Sequence, residues 1–238
     1  MDSNVLVIDI ETVSGKSSFE ELSPEMQALW AKKAGQLKNP EELSPQELFS
    51  DKGAIYAEFG KVVTIAFGIY YMHEEKGLSL RVKAIADDNE RVLLGEFKSL
   101  VESKFDQNKL AFCAHNGREF DYPYLGRRML VNGLALPYAL QLHGKKPWEV
   151  NHIDTMELWK FGDWKSYTSL ELLTTLFGIP SSKDDIDGSM VNEVYYKEGG
   201  LARIARYCCN DVIATAQLYL KLQGKDLIPE ENIQVITQ

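Results

Sequence analysis

The chain has 238 residues, of which 45% are hydrophobic and 26% charged, with a formal net charge of −9. That length and balance suit one globular α/β domain of 1–238 that buries its own core. The acidic excess argues against passive, tight duplex binding, which needs a basic face to release counterions.

Val5-Leu6-Val7-Ile8 is a short β-branched run and reads as a buried strand, stopping at Asp9-Ile10-Glu11-Thr12. Residues 14–54 then change character: they are rich in Glu and hold two Ser-Pro steps, Ser23-Pro24 and Ser44-Pro45. Each step supplies a Ser N-cap and a Pro first residue, so 14–54 reads as a helical insertion after the first strand. Lys61–Tyr71 and Leu78–Ala86 read as a hairpin, and Val92, Leu93, Phe97, Leu100 and Val101 recur at helical spacing. A strand at Leu110–Ala114, a helix at Tyr122–Leu130, a short helix at Glu171–Phe177 and a long one at Leu201–Leu222 complete the order. Such an order gives a mixed β-sheet flanked by helices.

Cys113, Cys208 and Cys209 show no C-x-x-C spacing and read as reduced, buried thiols of a cytoplasmic protein. Nothing in the sequence has the length of a membrane span, and a soluble protein is expected.

Three stretches carry candidate chemistry. In Asp9-x-Glu11 the carboxylates are two apart on a strand, so they share a face and repel unless a cation lies between them. His115-Asn116-Gly117-Arg118-Glu119-Phe120-Asp121 links a strand to a helix, where Asp121 would be a cap or a ligand. Tyr207 and Asp211 are four apart on an otherwise apolar helix, an expensive place for an acid with no task. Each alone has an ordinary reading as surface acid or cap. Together they put four carboxylates where a sheet edge could gather them, a set suited to hard cations such as Mg²⁺ or Mn²⁺.

In order and spacing these stretches resemble the Exo I, II and III motifs of the 3′→5′ exonucleases with four acidic ligands, in the tyrosine branch. The similarity is nearest to the exonuclease domain of family B DNA polymerases and to the stand-alone bacterial proteins related to it. Val7–Thr12 looks like Exo I, His115–Leu125 with Arg128 like Exo II, and Tyr207–Asp211 like Exo III. The similarity extends over Ile153-Asp154 and Leu170–Pro180.

The resemblance implies an RNase H-like fold and two Mg²⁺ or Mn²⁺ ions held by Asp9, Glu11, Asp121 and Asp211. Asp9 would bridge the ions and Tyr207 would orient the attacking water. Glu11 and the Thr12 backbone would read the terminal 3′-OH, and Asn116 and Phe120 would hold the strand. The implied reaction releases nucleoside 5′-monophosphates from the 3′ end of single-stranded nucleic acid. The resemblance favours DNA, while composition does not choose between DNA and RNA. A polymerase or repair protein acting in trans is the implied partner, and no membrane is. The alternative is an inactive RNase H-like nucleic-acid-binding module.

Arg127, Arg128, Lys145, Lys146 and Lys165 are candidates for a backbone path, and Trp148, Trp159, Trp164 and Tyr167 for base stacking, although ordinary packing or solvation is the commoner use of each. His115 and His152 read as hydrogen-bonded structural residues. Lys183–Gly188 hints at a calcium loop but fails at its first and twelfth ligand positions.

Overall fold

The computed structural model describes residues 4–163, 167–180 and 186–236. The elements expected from the sequence are present, and the sheet has the order β5-β4-β1-β2-β3-β6. Its strands are β1 (Val5–Ser14), β2 (Gly60–His73), β3 (Gly77–Ala86), β4 (Ala111–Ala114), β5 (Ile153–Asp154) and β6 (Ile233–Ile236). β1 pairs antiparallel with β2 and parallel with β4, and β2–β3 form the hairpin. The short β5 and β6, which periodicity does not reveal, extend the sheet in parallel at its two ends.

The helices are α1 (Pro24–Ala34), α2 (Pro45–Lys52), α3 (Glu90–Lys104), α4 (Asp121–Val131), α5 (Thr155–Lys160), α6 (Leu170–Leu176), α7 (Val191–Glu198) and α8 (Leu201–Leu222). Strand alternation sorts β1 between two cores. Leu6, Ile8 and Ile10 pack with α3 and α4 around Phe97, Phe112 and Leu125. Val5 and Val7 face α8 at Cys208, Val212 and Ala216. This is an α/β, RNase H-like mixed sheet with helices on both faces. Among the described residues no helix is long and apolar enough to cross a membrane.

Between β1 and β2 lie the helices α1 and α2. Ser23 and Ser44 are N-caps with Pro at the first position, and Ser44 and Glu47 close a capping box. α1 and α2 bury Trp30, Leu48 and Phe49 in a core of their own, with Phe59 at its base. Trp30 also donates its indole N–H to Pro45 O at 2.7 Å.

One expectation about β1 is corrected. The strand does not stop at Asp9 but runs to Ser14, because Thr12, Val13 and Ser14 pair with Val62, Lys61 and Gly60. Beside Glu11 the ladder shifts register, and Val63 of β2 is the extra residue. The acidic pair therefore lies inside the central strand rather than at its exit.

Candidate active site

Asp9 and Glu11 follow Val5 and Val7 on the face of β1 that meets α8. Glu11 is buried and Asp9 half-buried. β4 pairs only with Val5, Leu6 and Val7, so the β1 backbone beyond them is open on that side. The loop after β4 fills the gap and delivers Asp121 at the first turn of α4. The Asp121 carboxylate accepts from the backbone of Ile10, between the two acids of β1. The four carboxylates thus converge on the middle of the sheet, where a short neighbour exposes the central strand, not on a sheet edge as the sequence suggested.

The loop is built for this delivery. Asn116 has a left-handed backbone, φ 63°. At Gly117 a Cβ would lie 2.6 Å from the Ala114 Cβ and 2.7 Å from the Tyr122 ring, so no side chain fits. Asp154, 3% exposed, ties the turn down. One of its oxygens accepts from Asn116 N and Met156 N, the other from Arg118 N, all at 3.0 Å. A single carboxylate therefore caps α5 and fixes the loop that carries Asp121. Sequence reading placed Asp154 inside the similar region but gave it no task; an acid immediately before a helix was the available signal.

α8 brings the remaining groups. Tyr207 hydrogen-bonds Asp211 one turn on, and the charge of Asp211 is felt at Asp9, Glu11 and Asp121. Between them on the helix, Cys208 turns its thiol onto Asp9, with Sγ 3.1 Å from Oδ2 and 3.4 Å from the carbonyl oxygen. Cys208, Asp9 and Glu11 each offer a ligand atom, all within 4.8 Å of one another. The sequence marked Cys208 only as a buried thiol; the register of α8 on β1 gives it this contact.

The electrostatics fit a cation. Burial holds the Asp9 carboxyl well above the usual range, with Asp211, Glu11 and Asp121 adding like charge. Burial, then Asp211 and Asp121, do the same at Glu11. Asp121 is pushed up to about 7, chiefly by burial, against the backbone bonds that favour its anion. Its Oδ1 is buried and has no hydrogen-bond partner. Four converging acids with an unsatisfied oxygen are the donor set of hard divalent ions. Tyr207 is raised too, by burial and then by Asp211 and Glu11, so its phenol keeps its proton.

A groove of about 990 Å³ opens beside the cluster. Ile10, Glu11, Thr12 and Phe120 form its inner end, and α2 and α7 supply its walls through Glu47, Asp51, Asn192 and Tyr196. Asn192 Oδ1 accepts from Ser14 N and Ser14 Oγ at 2.9 Å, and the Tyr196 hydroxyl donates to Ser14 O at 2.6 Å. These bonds fix the end of β1 to α7. Thr12 and Phe120 line the groove, and the Phe120 ring is tilted against Tyr124 with centroids 5.3 Å apart. Asn116 lies in the loop itself, with its side-chain oxygen buried and unpartnered.

Several sequence candidates serve other ends. Arg128 does not line a strand path: it is paired with the buried Glu90, whose other oxygen it also holds, and it donates to Ala57 O. Arg127 and Lys145 line a separate cavity, and Lys146 lies over the Trp148 ring. Trp159 packs edge-on against Phe177, while Trp148 and Tyr167 are exposed. Trp164, Lys165 and the start of the 183–188 loop lie outside the described residues. His115 bridges Thr155 Oγ1 and Thr168 O, and His152 joins Phe112 N to Ala139 O, both structural as expected.

Fold and cluster together define the class: an RNase H-like α/β protein with converging carboxylates on its central strand. The chain belongs to the family described as predicted 3′-5′ exonucleases related to the exonuclease domain of PolB, whose model matches residues 55–232. Asp9 and Glu11 precede that span. In fold the chain is similar to the family B DNA polymerase from the hyperthermophilic archaeon Pyrobaculum calidifontis. The TM-score is 0.58 at 18% identity, over 92% of this chain but only 24% of the polymerase.

Proposed function

We propose that this chain is a metal-dependent 3′→5′ exonuclease that removes nucleoside 5′-monophosphates from single-stranded ends, DNA before RNA. The observation that carries the reading is the convergence of Asp9, Glu11, Asp121 and Asp211, with Asp121 Oδ1 buried and unpartnered. Asp9, Glu11 and Asp211 would hold one Mg²⁺ or Mn²⁺, and Asp9 with Asp121 a second. Bound there, two such ions supply activation of water and stabilisation of the leaving 3′ oxygen.

The chain's own residues do the rest. Tyr207, kept neutral by burial and by Asp211, presents a hydroxyl to the attacking water rather than a base. Glu11 and Thr12 meet the terminal 3′-OH, and Phe120 supports the last base from the inner end of the groove. The acidic groove walls disfavour a long phosphate path there, which suits a substrate that enters by its end. The expected setting is the cytoplasm, with a polymerase or repair protein supplying the end.

The test is a gel assay on 5′-labelled single-stranded DNA, beside RNA of the same sequence, with Mg²⁺ or Mn²⁺. A ladder shortening one nucleotide at a time, absent with EDTA and in Asp9→Ala, is the expected result. No shortening of either polymer by folded, metal-binding protein would overturn the reading.

A further inference from the structure

α4 has a second face that the site does not use. Phe120 looks into the groove and Asp121 turns to the Ile10 backbone, whereas Pro123, Arg127 and Leu130 border a separate cavity of about 470 Å³. The 134–150 segment closes it from the far side. Its floor is aliphatic, from Leu130, Leu136, Leu140 and Leu142, with Tyr122 beneath them. Leu130 is 62% exposed, an apolar cost at the surface that nothing in the described chain covers.

The rim has the opposite sign to the molecule. Arg118, Arg127, His143 and Lys145 surround the floor, and no Asp or Glu is among the residues that line it. In a chain of net charge −9 this concentration is unusual. Among the described residues none of these four is in an ion pair. Arg118 donates to His152 O at 2.9 Å, and Lys145 lies 4.8 Å from the Tyr138 ring centre, so both stems are held in place. Glu149, the acid nearest Lys145 in sequence, is turned back onto the Lys146 N–H.

We propose that this cavity is a docking site for a partner protein's acidic peptide, one that inserts a large apolar side chain between flanking carboxylates. The volume falls in the range of ligand pockets and accepts one or two large side chains. The rim matches carboxylates in charge, and its arginines offer bidentate partners. A nucleic-acid strand fits less well. Bases seek flat aromatic faces, but the floor is leucine, and the one lining tyrosine is 1% exposed with its hydroxyl bound to Ile153 O. A phosphate chain also wants cations spaced along a track rather than gathered around an apolar well.

The experiment uses the full chain and a short fluorescein-labelled peptide of Asp, Glu, Leu and Phe, read by fluorescence polarisation. Saturable binding is expected, weakened roughly tenfold or more by L130E and by R127E. It should also weaken with added salt and when Asn and Gln replace the acids. L130E should leave the digestion of single-stranded DNA unchanged, which separates this site from the nuclease reading. No saturable binding, or binding indifferent to both variants, would overturn the proposal. Displacement of the peptide by an oligothymidylate, with the same sensitivity to both variants, would also overturn it by making the cavity a nucleic-acid path.

Discussion

The thiol of Cys208 donates to the carboxylate of Asp9 across 3.1 Å, joining α8 to the central strand within the acidic cluster. Burial and the charges of Asp9 and Glu11 keep that thiol protonated, so it can act as a donor. It holds the Asp9 carboxylate in one orientation, as outer hydrogen bonds do around metal ligands. Cys208→Val removes the donor at similar size and should weaken Mn²⁺ binding by roughly tenfold or more. Cys208→Ser keeps a donor and should lose less. Mn²⁺ titration followed by electron paramagnetic resonance compares the two, and equal affinities across wild type and both variants would sink the idea.

Stability of the metal-free protein should fall as pH rises through neutrality. Asp9, Glu11 and Asp121 have folded pKa values raised above their unfolded ones, Asp121 to about 7. Between the ordinary carboxylate range and those values the folded state binds more protons than the unfolded one. The stabilisation is complete below the unfolded pKa and is lost as pH passes the folded one. Melting curves from pH 5 to 8 in EDTA should show Tm decreasing, and Mg²⁺ should restore it most at the alkaline end. A flat or rising profile in EDTA would contradict the arrangement.

Tyr207→Phe deletes the hydroxyl but not the ring. Exonuclease kcat should drop on the order of a hundredfold, the cost of losing the position of the attacking group. Metal affinity should barely change. The pH–rate profile should show no limb at phenol ionisation even in wild type, because Tyr207 stays neutral. A wild-type limb that vanishes in the variant would instead assign it the role of base.

Asp154→Ala leaves the N–H groups of Asn116, Arg118 and Met156 without their acceptor. A loss of about 3 kcal/mol in urea denaturation is expected. Activity should fall further than stability requires, since the loop that carries Asp121 loses its anchor. Digestion rates measured well below the melting temperature separate the two effects.

Arg128→Ala strands Glu90, 7% exposed, which also accepts from Val62 N and Asn132 Nδ2. Leaving such a charge buried and unpaired costs about 3–5 kcal/mol. The paired change Glu90→Gln with Arg128→Met should be much milder. Both variants should retain metal binding at the distant cluster, and calorimetry checks this alongside unfolding.

The sequence by itself determined the local elements and the acids. Alternation placed Val5, Val7, Asp9 and Glu11 on one face of a strand, Ser-Pro steps started α1 and α2, and the four-residue spacing put Tyr207 beside Asp211, because these depend only on backbone period and capping. Tertiary structure alone decided that β1 continues to Ser14, since its last residues are held by pairing with β2 rather than by their own preference. It decided that β4 stops early enough for Asp121 to reach Ile10, that Cys208 meets Asp9, and that Arg128 is spent on Glu90. Each of these joins residues far apart in the chain, where strand register and helix placement are set by the packing of two cores and leave no local period to read.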